Sequence, residues 1–147
     1  MKTVALIFIS ILLLVVSCKK ENRFIPHSIT PILIGKGIIN SNENIAQQNT
    51  VINTQAEFNV ILNKLDSYLL DTFTETNVDF NNYTVLAIFD TIKPDCGYYI
   101  TVSNVMENTD NVTVEIVKGY TVCALLTEAQ PFHIVKIPKT NKPIIFQ

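Results

Sequence analysis

Apolar residues recur along this chain in three rhythms, and each rhythm predicts a different element. The first is a run from Val4 to Val16, apolar but for Ser10, entered through Met1-Lys2-Thr3 and closed by Ser17-Cys18. Its 13 residues are too few to cross a bilayer as a helix, which takes about 20. One lysine, a short apolar core and a small residue before cysteine make the pattern of a secretory signal peptide of the bacterial lipoprotein type.

The second rhythm is helical. Thr54-Gln55-Ala56-Glu57 is a capping-box sequence: the Thr54 hydroxyl accepts from the Glu57 amide, and the Glu57 carboxylate reaches back to the Thr54 amide. Phe58, Ile61, Leu62, Leu65 and Leu69 then return at spacings that place them on one face. The spacing predicts one helix over residues 55–70.

The third rhythm is that of strands. Ile32 to Ile39 is β-rich but broken by Gly35 and Gly37, which predicts a strand with a bulge. Asn49 to Asn53 reads as a short extended piece. Val78 and Phe80 form an apolar corner before the Asn81-Asn82 turn. Thr84 to Phe89 is almost wholly apolar and predicts a strand covered on both faces. Tyr98–Met106 and Val112–Val117 alternate around Asn108-Thr109-Asp110, a hairpin. Phe132 to Ile137 is a further strand ended by Pro138, and Pro143 to Phe146 a short edge strand. One main helix followed by four or five strands predicts an α+β fold: a mostly antiparallel β-sheet with one main α-helix packed on it.

The leader changes the picture of where this domain works. Val15-Val16-Ser17-Cys18 resembles the lipobox of lipoprotein signal peptides, with Ser17 the last residue removed and Cys18 the lipidated one. Two or more acyl chains, at about 0.8 kcal/mol per buried methylene, give a stable anchor. The expected organisation is a signal peptide over 1–17, a lipidated N-terminus and tether over 18–28, and a single α+β domain over 29–147. No aspartate follows Cys18, so the familiar inner-membrane retention signal is missing, and the expected location is the outer membrane, on its periplasmic or surface face. Removing the leader leaves 130 of 147 residues, one domain's worth of chain. Lys2 is the leader's one charge, so the remainder sets 10 Lys and Arg against 13 Asp and Glu. A mildly acidic chain without a basic cluster is a poor partner for nucleic acid.

Candidate chemistry is sparse. With Cys18 committed to lipid, Cys96 and Cys123 form an even pair in an exported chain, most simply a disulfide, with two free thiols as the alternative. A hairpin centred on Thr109 pairs Met106 with Val112 and Val102 with Ile116. It gathers Ile100, Val102, Met106, Val112, Val114 and Ile116 on one face. That register sets Cys96 opposite Val122, so a bulge near Gly119 is expected to bring Cys123 into line. His27 lies in the tether, and His133 lies on a strand face with Val135 and Ile137, where a structural role is expected. Asp90 and Asp95 flank a turn and read as solvated. Glu107, Asp110 and Asn111 offer oxygens at a hairpin tip without the spacing of a calcium loop. No cofactor motif, metal site or catalytic set is expected.

A resemblance extends this reading. Val78-Asp79-Phe80 precedes the apolar strand Tyr83 to Phe89. Cys96-Gly97-Tyr98-Tyr99-Ile100 leads into a long strand, and Thr127…Pro131-Phe132-His133-Ile134-Val135-Lys136-Ile137-Pro138 closes the series. In this order the features, over residues 78–146, are similar to the C-terminal domain of the PrcB family, lipoprotein subunits associated with surface protease complexes. Phe132 stands for the family's usual tyrosine, and Cys96 for a glycine. The resemblance implies a non-catalytic accessory domain that supports a protein partner, a protease among the candidates, and it carries over no catalytic residue. The expected function is therefore that of a membrane-anchored accessory protein acting by protein–protein contact. The competing readings are a peptide- or glycan-binding module, with Tyr98, Tyr99, Tyr120 and Phe132 as its surface, and a small hydrolase.

Overall fold

The computed structural model describes residues 24–40, 45–124 and 126–147. Cys18 and the predicted signal peptide lie outside the described residues. In chain order the elements are β1 (His27–Ser28), β2 (Ile32–Asn40), β3 (Gln48–Ile52), α1 (Gln55–Leu62), α2 (Ser67–Leu70), β4 (Tyr83–Phe89), β5 (Tyr98–Glu107), β6 (Val112–Tyr120), β7 (Ala129–Pro138) and β8 (Ile144–Phe146). They form two four-stranded sheets, a central one ordered β2-β7-β4-β3 and a covering one ordered β1-β5-β6-β8.

This corrects the expected α+β arrangement. Of the described residues, 47% lie in strands and 10% in helices, in two sheets with two short helices. The capping box forms as the sequence implies, with Glu57 N–H donating to Thr54 Oγ1 at 3.2 Å and the Glu57 carboxylate accepting from Thr54 N–H at 3.1 Å. The helix it opens stops at Leu62, however. Lys64 N–H and Leu65 N–H turn back to Ile61 O and Leu62 O at 3.0 Å, three residues behind each, and Asp66 is extended at ψ 146°. Asn63, Asp66 and Ser67 offer side chains that compete with helical backbone bonds. Leu65 stays buried even so, which means the apolar stripe is satisfied without a continuous helix.

The central sheet owes its position to β4. Val85, Ala87 and Phe89 face one way, into a core shared with Phe58, Ile61 and Leu62 of α1. Leu86 and Ile88 face the other way, against Ile100, Val102, Val105, Val112 and Val114 of the covering sheet. Burial on both sides is what the unbroken apolar run of β4 requires. β2 pairs antiparallel with β7 and carries the expected bulge, between Leu33 and Gly35. The Phe73 ring fills the space over Gly35 that a side chain would need.

The β5–β6 hairpin forms, in a different register from the expected one. Val102 does face Ile116, but Met106 faces Thr113 rather than Val112. The slip occurs at Ser103 on β5, not near Gly119 on β6. The tip is a four-residue loop closed by Asn108 N–H to Asn111 O at 2.8 Å, so it is not centred on Thr109. One extra residue on β5 reverses its faces beyond Ser103. As a result Val105, not Met106, joins Ile100, Val102, Val112 and Val114 in the core. β8 is an edge strand, parallel to β6.

Cys96 and Cys123 are joined by a disulfide, with their Cα atoms 5.7 Å apart. The regular ladder ends at Tyr98 and Tyr120, and Thr121 N–H still reaches Gly97 O at 2.8 Å. Beyond it the chain is no longer in register, so Cys123 rather than Val122 meets Cys96 without a second bulge. Cross-linking residues this far apart in sequence removes loop entropy worth about 3–4 kcal/mol from the unfolded chain.

Candidate functional site

The covering sheet fails to close over the central one along one side, and the gap is the candidate site. The outermost strand of the central sheet there is β2, and the facing strand of the covering sheet is β5. β1 lies on the outer edge of β5 only at Met106 and Glu107, extended by Ile29 N–H to Val105 O at 2.8 Å. The chain then crosses to the central sheet and becomes β2. Below the crossing the two edges part and enclose a cleft of about 530 Å³. Its walls are Lys36, Gly37 and Ile38 on β2, Cys96 and Gly97 in the turn before β5, and Tyr98 to Thr101 on β5, with Phe132 of β7 also lining it.

His133 follows the cleft residue Phe132 in β7 and bonds the residue next to Thr101 on β5. Its Nδ1 accepts from Val102 N–H at 2.9 Å, which pins the central sheet to the covering one. The residue is 7% exposed. Burial, helped by the nearby Lys36 charge, pushes its pKa down to about 4, so it is neutral at neutral pH and free to accept. The strand face predicted for His133 is the one observed, and its partner is a backbone amide.

The four aromatic residues proposed as one surface divide between two neighbouring hollows: Tyr98, Tyr99 and Phe132 line the cleft, and Tyr98, Tyr99 and Tyr120 line a second one with Asp90, Lys93 and Lys118. Phe132 is 1% exposed and packs on Phe89 and Phe73, each ring 6.0 Å away, because it faces the α1 side of β7. Tyr98 and Tyr120 are directly opposed in the hairpin, with ring centroids 4.9 Å apart. They share the inner face of β5–β6 with Ile100 and Val102, since strand side chains alternate. Tyr99 points the other way and lies over Gly119, where a Cβ would overlap its ring. Tyr99 and Tyr120 remain 43% and 53% exposed, and Tyr98 is half-buried under Lys93, whose Nζ is 5.6 Å from the ring centre.

Asp90, expected to be solvated, is instead 1% exposed at the end of β4. Lys118 Nζ donates to its Oδ1 at 2.7 Å. Lys93 Nζ lies 3.1 Å from Oδ2, close enough for an ion pair but off the hydrogen-bond direction, so Oδ2 has no hydrogen-bond partner. Burial pushes the carboxyl pKa up, but the bonds from Lys118 and the Thr91 amide, with the Lys93 ammonium close by, outweigh it and hold the pKa below the usual range. Buried Gln130 ties this corner down by donating to Asp90 O at 2.7 Å and Ile45 O at 2.6 Å. Asp95 accepts from Gly97 N–H at 2.8 Å and shapes the turn into β5.

The hairpin tip is engaged internally. Lys142 Nζ reaches Glu107 at 2.8 Å and Asn108 O at 2.7 Å, while Asn108 and Asn111 bond each other at 2.8 Å. His27, expected in a free tether, sits in β1 opposite Glu107, with Nε2 3.5 Å from that carboxylate. Among the described residues no group of three His, Cys, Asp or Glu is placed to hold a metal ion.

Lys36 and the β5 edge are the features that sequence reading missed. Lys36 is a lone cation between two glycines in an apolar strand, a signal legible in hindsight. The exposed edge of β5 depends on sheet order, which alternation along one strand does not encode. No family model, curated protein or solved structure matches this chain.

Proposed function

We propose that this protein is a lipid-anchored accessory protein of the bacterial cell envelope that works by protein–protein contact, with a protease complex as its candidate assembly. The observation that carries the contact reading is the open side of the sandwich, where two strand edges flank a cleft lined mainly by apolar and tyrosine side chains. The groups most suited to chemistry are occupied: His133 Nδ1 takes the Val102 amide, and Cys96 is bonded to Cys123. This favours an accessory role over a hydrolase. The lipobox-like sequence ending at Cys18 supports the anchor, and the resemblance over residues 78–146, which spans β4 to β8, supports the protease assembly.

The anchor is tested by Cys18→Ala in the producing cell. The variant is expected to lose labelling by radioactive fatty acid and to leave the membrane fraction. Labelling that persists in the variant would overturn the anchor. The non-catalytic reading is tested with purified, folded protein: a hydrolase activity abolished by His133→Ala would overturn it.

A further inference from the structure

We propose that the open edge of β5 at Tyr98–Thr101 receives an extended, acidic peptide segment of a partner protein as an added β-strand lying in the cleft beside β2. The proposal rests on the protein-contact reading and names the kind of segment the surface fits.

The backbone supplies the first argument. Thr121 N–H bonds Gly97 O, so Gly97 faces β6. Val102 N–H points away from β6, into His133. In an antiparallel ladder the N–H and C=O of one residue point to the same side, and the side alternates along the strand. Tyr98 and Ile100 therefore present their N–H and C=O groups to the cleft. β1 has already left the edge at this level, and among the described residues no other strand pairs there. Such a row of donors and acceptors is a template for another strand.

The second argument is that the edge is short and fixed at both ends. The Cys96–Cys123 disulfide holds one end and the His133–Val102 bond the other. The volume of about 530 Å³ falls in the ~300–1,000 Å³ range of ligand clefts. An added strand would set alternate side chains against Ile38 and Ile100.

Charge selects the occupant. Lys36 is the one Lys, Arg, Asp or Glu that lines the cleft, and among the described residues no carboxylate pairs with it. A carboxylate on the incoming segment would supply that partner. A second copy of this chain docking edge to edge would bring another Lys36 to the same cleft, so self-pairing is disfavoured.

The test uses the full chain in detergent and three fluorescein-labelled peptides. One alternates valine and threonine around a central glutamate, the second carries lysine in its place, and the third carries proline. Anisotropy is expected to rank the glutamate peptide about fivefold tighter than the lysine peptide, from the size of surface charge pairs. The proline peptide, which lacks the central N–H, is expected to bind at least about tenfold more weakly. Hydrogen exchange should slow at Tyr98–Thr101 when the glutamate peptide is present. Tyr98→Pro removes one edge donor at the first residue of the strand, where proline is tolerated, and is expected to weaken binding. Lys36→Glu, at an exposed site, is expected to reverse the preference between the charged peptides. Unchanged exchange at Tyr98–Thr101, or an unchanged preference in Lys36→Glu, would overturn the proposal. Cross-linking in membranes separates the two readings: a partner held equally well by Tyr98→Pro removes the edge proposal and leaves the contact reading in place.

Discussion

The two faces of the central sheet are covered by different materials. Toward α1 the cover is aromatic and irregular: Phe58 meets Phe80 at 6.4 Å, and Phe132 meets Phe73 and Phe89 at 6.0 Å. Toward the covering sheet it is aliphatic and regular, with Leu86, Ile88, Val135 and Ile137 against Ile100, Val102, Val105, Val112 and Val114. A short helix and a loop can place rings wherever a gap remains. Two twisted sheets cannot, since their twist makes the edges diverge. On that second face a polar bond from Val102 to His133 holds the layers together, and the cleft opens just beyond it. The comparison locates the candidate site where regular layers part, not where irregular packing fills in.

The contrast breaks most severely at Phe132. Replacing it with alanine is expected to cost about 3–5 kcal/mol, because a fully buried ring leaves a cavity among Phe73, Phe89 and β2. Ile100→Val on the aliphatic side should cost only about 0.5–1.5 kcal/mol. Urea unfolding of both variants checks the ratio; equal losses would mean that the aromatic side is not the better-filled core.

The pin between the layers is expected to fail in acid. His133 titrates at about 4 when folded and near 6.5 when unfolded. Above pH 6.5 both states hold it neutral, so it makes no demand. As the pH falls from 6.5 to about 4, the unfolded chain takes up the proton and the folded one does not, which lowers stability by about 3 kcal/mol. Asp90, Glu57 and Asp79 are held below the ordinary carboxylate range, and their contributions are lost at lower pH, through about 4 and below. Unfolding midpoints at pH 7, 5.5 and 4 should show a smaller fall in His133→Gln. Equal falls would show that the ring is not what titrates.

The smallest expected effect is on the helical cover. Thr54→Ala removes the acceptor of the capping box and should cost about 1 kcal/mol by urea unfolding. A loss several times larger would mean that the cover depends on α1 more than on its rings.

What the sequence disclosed follows the same division. The β4 strand, the capping box, the β2 bulge and the hairpin were legible because each is written within a few neighbouring residues. The extent of α1 was not, since Leu65 and Leu69 keep helical spacing although the backbone turns at Asn63–Asp66. The burial of Phe132 is not legible because β7 is buried on both faces, where alternation no longer distinguishes inside from outside. The Ser103 slip was hidden for a similar reason: Val105 and Met106 are both apolar, and either could face the core. The cysteine pairing could be reached from composition, but the open β5 edge required knowing which strands are neighbours.

The connectivity of β2 also bears on how the chain folds. Ile32 pairs with Lys136, and His27 with Glu107, so both early strands close against segments made much later. Contacts this distant in sequence pay loop-closure entropy before they return any stabilisation, and they slow folding. The β5–β6 hairpin can form from local contacts alone, but β2 cannot reach its place until β7 has been made. The cleft is thus among the last parts of the molecule to exist, and a partner that read it would distinguish a finished chain from an unfinished one.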